Sequence, residues 1–183
     1  MKEKILIFDS TLRDGAQGEG ISFSVRDKIA VCRALSELGV DFIEAGNPAS
    51  NPKDAEFFRE IVGEDFGKTR LTAFGSTRRK GVRAEDDEGL RALLEANTPT
   101  VAVFGKSWDF HATEIIRVGL GENLNMIADT VKYLKDKGKQ VVFDAEHFFD
   151  GYKHNPDYAI KSLVAAADSG ADYIALTKLD ILS

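Results

Sequence analysis

The chain has 183 residues, 43% of them hydrophobic and 30% charged, with a formal net charge of −6. That is enough for one sizeable core, and the acidic balance argues against a general binder of nucleic acid or anionic membrane, although Arg78-Arg79-Lys80 forms a local basic cluster able to meet phosphates. A single cysteine, Cys32, excludes an intrachain disulfide framework and fits a reducing compartment, while the lack of a bilayer-length apolar run or a signal-peptide core predicts a cytoplasmic location.

Ile5-Leu6-Ile7-Phe8 predicts a buried parallel strand. The polar stretch Asp9 to Gln17 follows it at once. Val25–Leu38 predicts a helix with Ile29, Cys32, Leu35 and Leu38 on one face, Ser24 as N-cap and Gly39 as stop. On that apolar face Cys32 reads as core rather than nucleophile. A second strand over 40–45 leads to a helix over 54–62, with Ala55, Phe58 and Ile61 or Val62 inward. A third strand over 70–74 precedes a helix over 85–96, with Leu90, Leu93 and Leu94 inward. Its acidic start, Glu85-Asp86-Asp87-Glu88, reads as a solvated helix N-terminus of favourable charge. The fourth strand covers 101–104. Two helices, over 108–118 and 122–137, break near Gly119 and Gly121. The fifth strand covers 141–145. Asn155-Pro156 caps and opens a helix that runs to Ala167, and the sixth strand covers 172–177.

Six apolar strands alternating with helices predict one α/β domain over 1–183 with a parallel sheet. The alternation alone does not separate an open doubly wound sheet from a barrel, and a full (β/α)₈ barrel usually takes about 250 residues.

Polar residues follow the strands in succession: Arg13 and Asp14, then Glu44, Ser76 and Thr77, Lys106 and Ser107, Glu146 and His147. In parallel α/β folds ligands bind at such ends. Arg13 can hold an anion in a planar fork, and Asp14 can bind a divalent cation. Together they suit a substrate that is both a carboxylate and a chelate; equally, they make an ion pair that ties the loop. Glu44 and Glu146 continue directly from apolar strands, where an unpartnered carboxylate is costly. Each is either salt-bridged, to Arg13 or Arg70, or adjacent to a metal or a moving proton. His111 and His147 read as packing residues, and Trp108, Phe110, Phe148 and Phe149 as core or interface.

Asp9-Ser10-Thr11-Leu12-Arg13-Asp14-Gly15-Ala16-Gln17 resembles the first-strand signature of the DRE-TIM metallolyase family. That family includes 2-isopropylmalate, homocitrate and citramalate synthases and 3-hydroxy-3-methylglutaryl-CoA lyase. Phe42-Ile43-Glu44-Ala45-Gly46-Asn47-Pro48, the run from Ala73 to Lys80 and the run from Phe143 to Tyr152 resemble its citramalate synthase branch. The resemblance implies a TIM (β/α)₈-type barrel of which about six βα units are present, a partial barrel. It also implies a Claisen-type condensation of acetyl-CoA with a 2-oxo acid, pyruvate in this branch, giving citramalate for isoleucine synthesis. On the matching positions, Arg13 polarises the keto oxygen, Asp14 is a ligand of a divalent metal (Mg, Mn or Zn), and Glu146 moves the proton from the acyl-CoA methyl group. Gln17, Glu44 and Thr177 match positions that contact substrate. A homo-oligomer, a dimer, is expected.

Two departures from the family accompany these matches. The paired histidines, one residue apart, that complete its metal site have no counterpart among the three histidines here. The run Leu176 to Ser183 replaces its polar sixth-strand turn. Weak or no turnover is therefore expected of this polypeptide alone. A 2-isopropylmalate or homocitrate synthase, or a non-catalytic fragment paired with a subunit supplying further strands, are the alternatives.

Overall fold

The computed structural model describes residues 4–178. The departing tail over 179–183 lies outside the described residues. Six strands run β1 (Phe8–Asp9), β2 (Phe42–Gly46), β3 (Arg70–Ser76), β4 (Thr100–Lys106), β5 (Gln140–Glu146) and β6 (Tyr173–Leu176), in sheet order β1-β2-β3-β4-β5-β6. The helices are α1 (Val25–Leu38), α2 (Pro52–Glu60), α3 (Glu88–Glu95), α4 (Leu120–Asp136), α5 (Phe148–His154) and α6 (Pro156–Asp168). The chain divides into two compact units, Met1–Gly75 with Ala92–Val101 and Ser76–Arg91 with Ala102–Ser183.

In the first unit β2 is buried throughout, because both its edges are paired and α1 and α2 lie beside it. The ends of α1 follow from its sequence. Ser24 and Asp27 form a reciprocal capping box, and Gly39 ends the helix at φ 87°, where a side chain would be strained. The face differs from expectation. Leu38 is 78% exposed, and the buried positions are Lys28 and Cys32. A lysine belongs there only because it finds partners, described below. In α2 the buried residues are Asp54, Phe57 and Phe58, and Val62 is exposed. The first strand also differs. Ile5 and Ile7 are exposed, and the ladder begins at Phe8. β1 has one neighbour, so its apolar run lacks the two-sided cover of β2.

In the second unit β5 carries four fully or nearly buried residues, Val141, Val142, Phe143 and Ala145, and pairs in parallel with β6. Gly105 lets β4 pass close to Phe143 and Ile127. α4 begins at Gly119, as the glycine break predicts, and buries Ile127, Val131 and Leu134. The helix expected over 108–118 is present but shorter, and it is wound as a π-helix over His111–Ile115. Helix α5 was not legible in the sequence. The acidic run before α3 is not uniformly solvated. Asp87 is 3% exposed and caps the helix, accepting from the Gly89 and Leu90 backbone at 2.8 and 3.1 Å.

Candidate active site

The first unit gathers Arg13, Asp14, Gln17 and Glu44. After β1 the chain turns tightly, with the Arg13, Asp14 and Gly15 amides all donating to the Ser10 carbonyl. This turn presents Arg13 back toward β2. Its Nε donates to Glu44 Oε2 at 2.6 Å, its Nη1 to Asp14 Oδ1 at 3.0 Å, and its guanidinium lies 4.0 Å above the Phe74 ring. The Ser10 hydroxyl donates to the same Glu44 oxygen at 2.6 Å. Of the two salt-bridge partners open to Glu44, the structure therefore supplies Arg13. Glu44 is 2% exposed, and a guanidinium and a hydroxyl both donate to one of its oxygens.

Arg13 and Gln17 line a cavity of about 290 Å³ together with Lys28, Asn47, Asp54 and Phe74. Asp14 is largely exposed and faces solvent. Gln17 ends a short 3₁₀ turn, and its side chain is exposed. A bulge in β2 helps set this end of the strand. Glu44 pairs with Thr72 and Gly46 with Ala73, so Ala45 has no register partner in β3.

The second unit gathers Lys106, Glu146, His147 and Thr177. Glu146 ends β5, and its carboxylate accepts from the Lys106 ammonium at the end of β4. Sequence reasoning named both residues without joining them. The signal was available, since each is the last residue of an apolar strand in a parallel sheet. His147 then takes a left-handed backbone, φ 52°. That turn swings its ring against His111, 4.6 Å away, while His111 also lies 4.7 Å from Trp108. Burial, with His147 and Lys106 beside it, holds the His111 imidazole below its ordinary value, against the pull of Glu146 and Asp150. Thr177 donates to Asp144 Oδ1 at 2.8 Å, and its carbonyl accepts from the Phe148 amide. In this way it joins the end of β6 to that of β5.

The basic cluster is used internally. Arg78 is buried against Glu122 and Asp129, Arg79 pairs with Asp87 and Glu88, and Lys80 donates to the Arg117 carbonyl. Cys32 is fully buried, and burial pushes its thiol up to about 12, which removes it as a nucleophile near neutral pH. Among the described residues no group of three or more His, Cys, Asp or Glu side chains converges as a metal site. Asp14 alone does not make one. Among the described residues no helix is long and apolar enough to cross a membrane.

A family model described as HMGL-like matches residues 4–178. The chain is 51% identical over 176 residues to the (R)-citramalate synthase of Aquifex aeolicus, covering 96% of this chain and 33% of that protein. It is also 51% identical over 172 residues to the (R)-citramalate synthase of Geobacter sulfurreducens, covering 94% and 33%. Identity to the 2-isopropylmalate synthase of Sulfolobus acidocaldarius is 34% over 172 residues, 94% of this chain and 42% of that one. The chain thus spans about a third of the length of the first two relatives. Among solved structures, the HMG-CoA lyase of Bacillus subtilis superposes with a TM-score of 0.73 at 20% identity, over 94% of this chain and 57% of that one. That likeness carries the fold alone: six parallel strands as part of a TIM-type barrel. On a family match that runs through all the described residues, the chain belongs to the HMGL-like family.

Proposed function

We propose that this chain is the N-terminal part of the catalytic barrel of a citramalate synthase, an acyltransferase that condenses acetyl-CoA with pyruvate. One observation carries the reading. Identity is 47–51% to five (R)-citramalate synthases but 33–34% to three 2-isopropylmalate synthases over the same stretch. A 2-oxo acid is a carboxylate with an adjacent carbonyl. Arg13 offers it a planar, partly exposed donor group. Glu44 and the Phe74 face hold that group in place, so its charge is ready where an alkoxide develops. Gln17, beside it on the same cavity, contacts the substrate.

Glu146 takes the methyl proton of the acyl thioester. The resulting enolate carbon attacks the keto carbon, and water then cleaves the thioester to release the thiol. Lys106 fixes the carboxylate that performs the first step, and Thr177 contacts substrate at the end of β6. Asp14 is the family's metal-ligand position. The described residues do not complete a metal site, so no step here runs through a metal. In this reading the protein works in the cytoplasm, as a homodimer.

The test is release of free thiol from acetyl-CoA in the presence of Mg²⁺ or Mn²⁺, with pyruvate, 2-oxoisovalerate and 2-oxoglutarate compared. It is run on this chain and on a chimera that continues it with the rest of the Aquifex aeolicus synthase. The chimera is expected to prefer pyruvate by at least about tenfold, about 1.4 kcal/mol in transition-state binding. This chain alone is expected to show weak or no turnover. A preference for a larger 2-oxo acid would replace pyruvate with that substrate class.

A further inference from the structure

Lys28 and Asp54 are both 5% exposed, on α1 and α2 of the first unit. A buried ion pair is a poor source of stability, since an apolar pair of similar volume does as well or better. What distinguishes this one is what else it holds. The Lys28 ammonium donates to Asp54, to the Leu12 carbonyl at 3.2 Å and to the Ala45 carbonyl at 2.8 Å. Three protons meet three acceptors, so the group is fully used. The second oxygen of Asp54 accepts from the Asn47 amide at 2.8 Å.

The acceptors are not scattered. Leu12 immediately precedes Arg13. Ala45 immediately follows Glu44 and is the bulged residue without a register partner in β3. Gly46, at φ 140°, passes so close to the Asp54 carboxylate that a Cβ would collide with it. One ammonium therefore grips the backbone beside each member of the Arg13–Glu44 pair, and its counterion grips the next turn of β2.

We infer that Lys28 and Asp54 are positioning residues: they set the spacing between the Arg13 turn and the Glu44 strand, and so the aim of the guanidinium. That the aim serves a 2-oxo acid rests on the function proposed above; the positioning itself does not. Any buried ammonium needs three acceptors; here two of them are the carbonyls next to Arg13 and Glu44. A lysine buried on α1 beside Cys32 is costly unless such partners hold its charge.

The variant Lys28→Met/Asp54→Asn removes both charges without leaving either unpaired. Two NMR readouts are taken: solvent exchange of the Arg13 Nε proton, and the affinity for pyruvate followed at the Arg13 side chain. Exchange is expected to rise at least tenfold and pyruvate affinity to fall about tenfold, with the thermal midpoint within a few degrees of the parent. Phe58→Leu, on α2 and buried, serves as the packing control and is expected to lower the midpoint while leaving Arg13 exchange unchanged. If the double variant does not fold, Asp54→Asn takes its place, with an expected threefold rise in exchange. The inference is overturned if exchange stays within twofold of the parent, or if Phe58→Leu speeds it as much as the variant at the pair. If pyruvate binds none of the proteins while the difference in exchange stands, the 2-oxo acid reading fails and the positioning role survives.

Discussion

Two cation–carboxylate pairs stand at strand ends, one in each unit, and they are built differently. Glu44 is enclosed, with its side chain 3% exposed, and accepts from both Arg13 and Ser10. Glu146 is 23% exposed and rests against a single lysine that is itself 15% exposed. A carboxylate held by several donors away from water is a fixed charge, costly to protonate and able to orient a neighbour. A carboxylate at the margin of solvent with one flexible partner can exchange a proton with something that approaches it. The two pairs thus differ in burial and bonding rather than in residue type.

The sharpest way to break this contrast is to remove each carboxylate in turn. Glu44→Ala strands Arg13 beside a buried void and is expected to cost about 3 kcal/mol of unfolding free energy, near the low end for a broken buried pair because Arg13 keeps some contact with water. Glu146→Ala is expected to cost about 1 kcal/mol, since Lys106 can turn outward. Urea unfolding of both variants decides it, and equal losses would erase the distinction. In the catalytically complete chimera, Glu146→Gln is expected to lower thiol release about 100-fold, the usual contribution of a general base, while leaving the urea midpoint nearly unchanged. Retained turnover would move the proton transfer elsewhere. Gly46→Ala probes the enclosed pair again. At φ 140° and against Asp54 it is expected to cost about 2 kcal/mol, in the range for a strained backbone position, and circular-dichroism melting checks it.

The smallest effect is a pH dependence in the second unit. Burial, assisted by His147 and Lys106, favours the neutral His111 ring in the folded chain. Its contribution is therefore full above the unfolded value of about 6.5 and falls away as the pH drops through the depressed folded value. His111→Phe is expected to flatten thermal stability over that range, and an unchanged slope would assign it to another group.

Much of this was legible beforehand. The periodicity of 25–38, with Ser24 and Gly39 at its ends, gave α1 to the residue, because caps are local chemistry. Asn155-Pro156 did the same for the start of α6, where the Asn155 side chain accepts from the Tyr158 amide. Arg13 and Glu44 were each visible as polar residues at strand ends. What stayed hidden depends on tertiary partners. Lys28 looks like a surface residue until Leu12, Ala45 and Asp54 are brought to it from 16 to 26 residues away. The joining of Lys106 to Glu146 spans 40 residues. Ile5 and Ile7 looked like core because their composition matches a central strand, whereas cover comes from neighbours that composition does not reveal. Asp87 read as one of four solvated acids, yet only it meets the two open amides of α3.

The pairing of β2 with β1, β3 with β2 and β6 with β5 has a consequence for biogenesis. Each of these strands docks on the one made just before it, so a nascent chain need not wait for distant sequence to find its register. Such a chain can add these strands in order as it leaves the ribosome, each closing a loop no longer than one strand–helix–strand crossover.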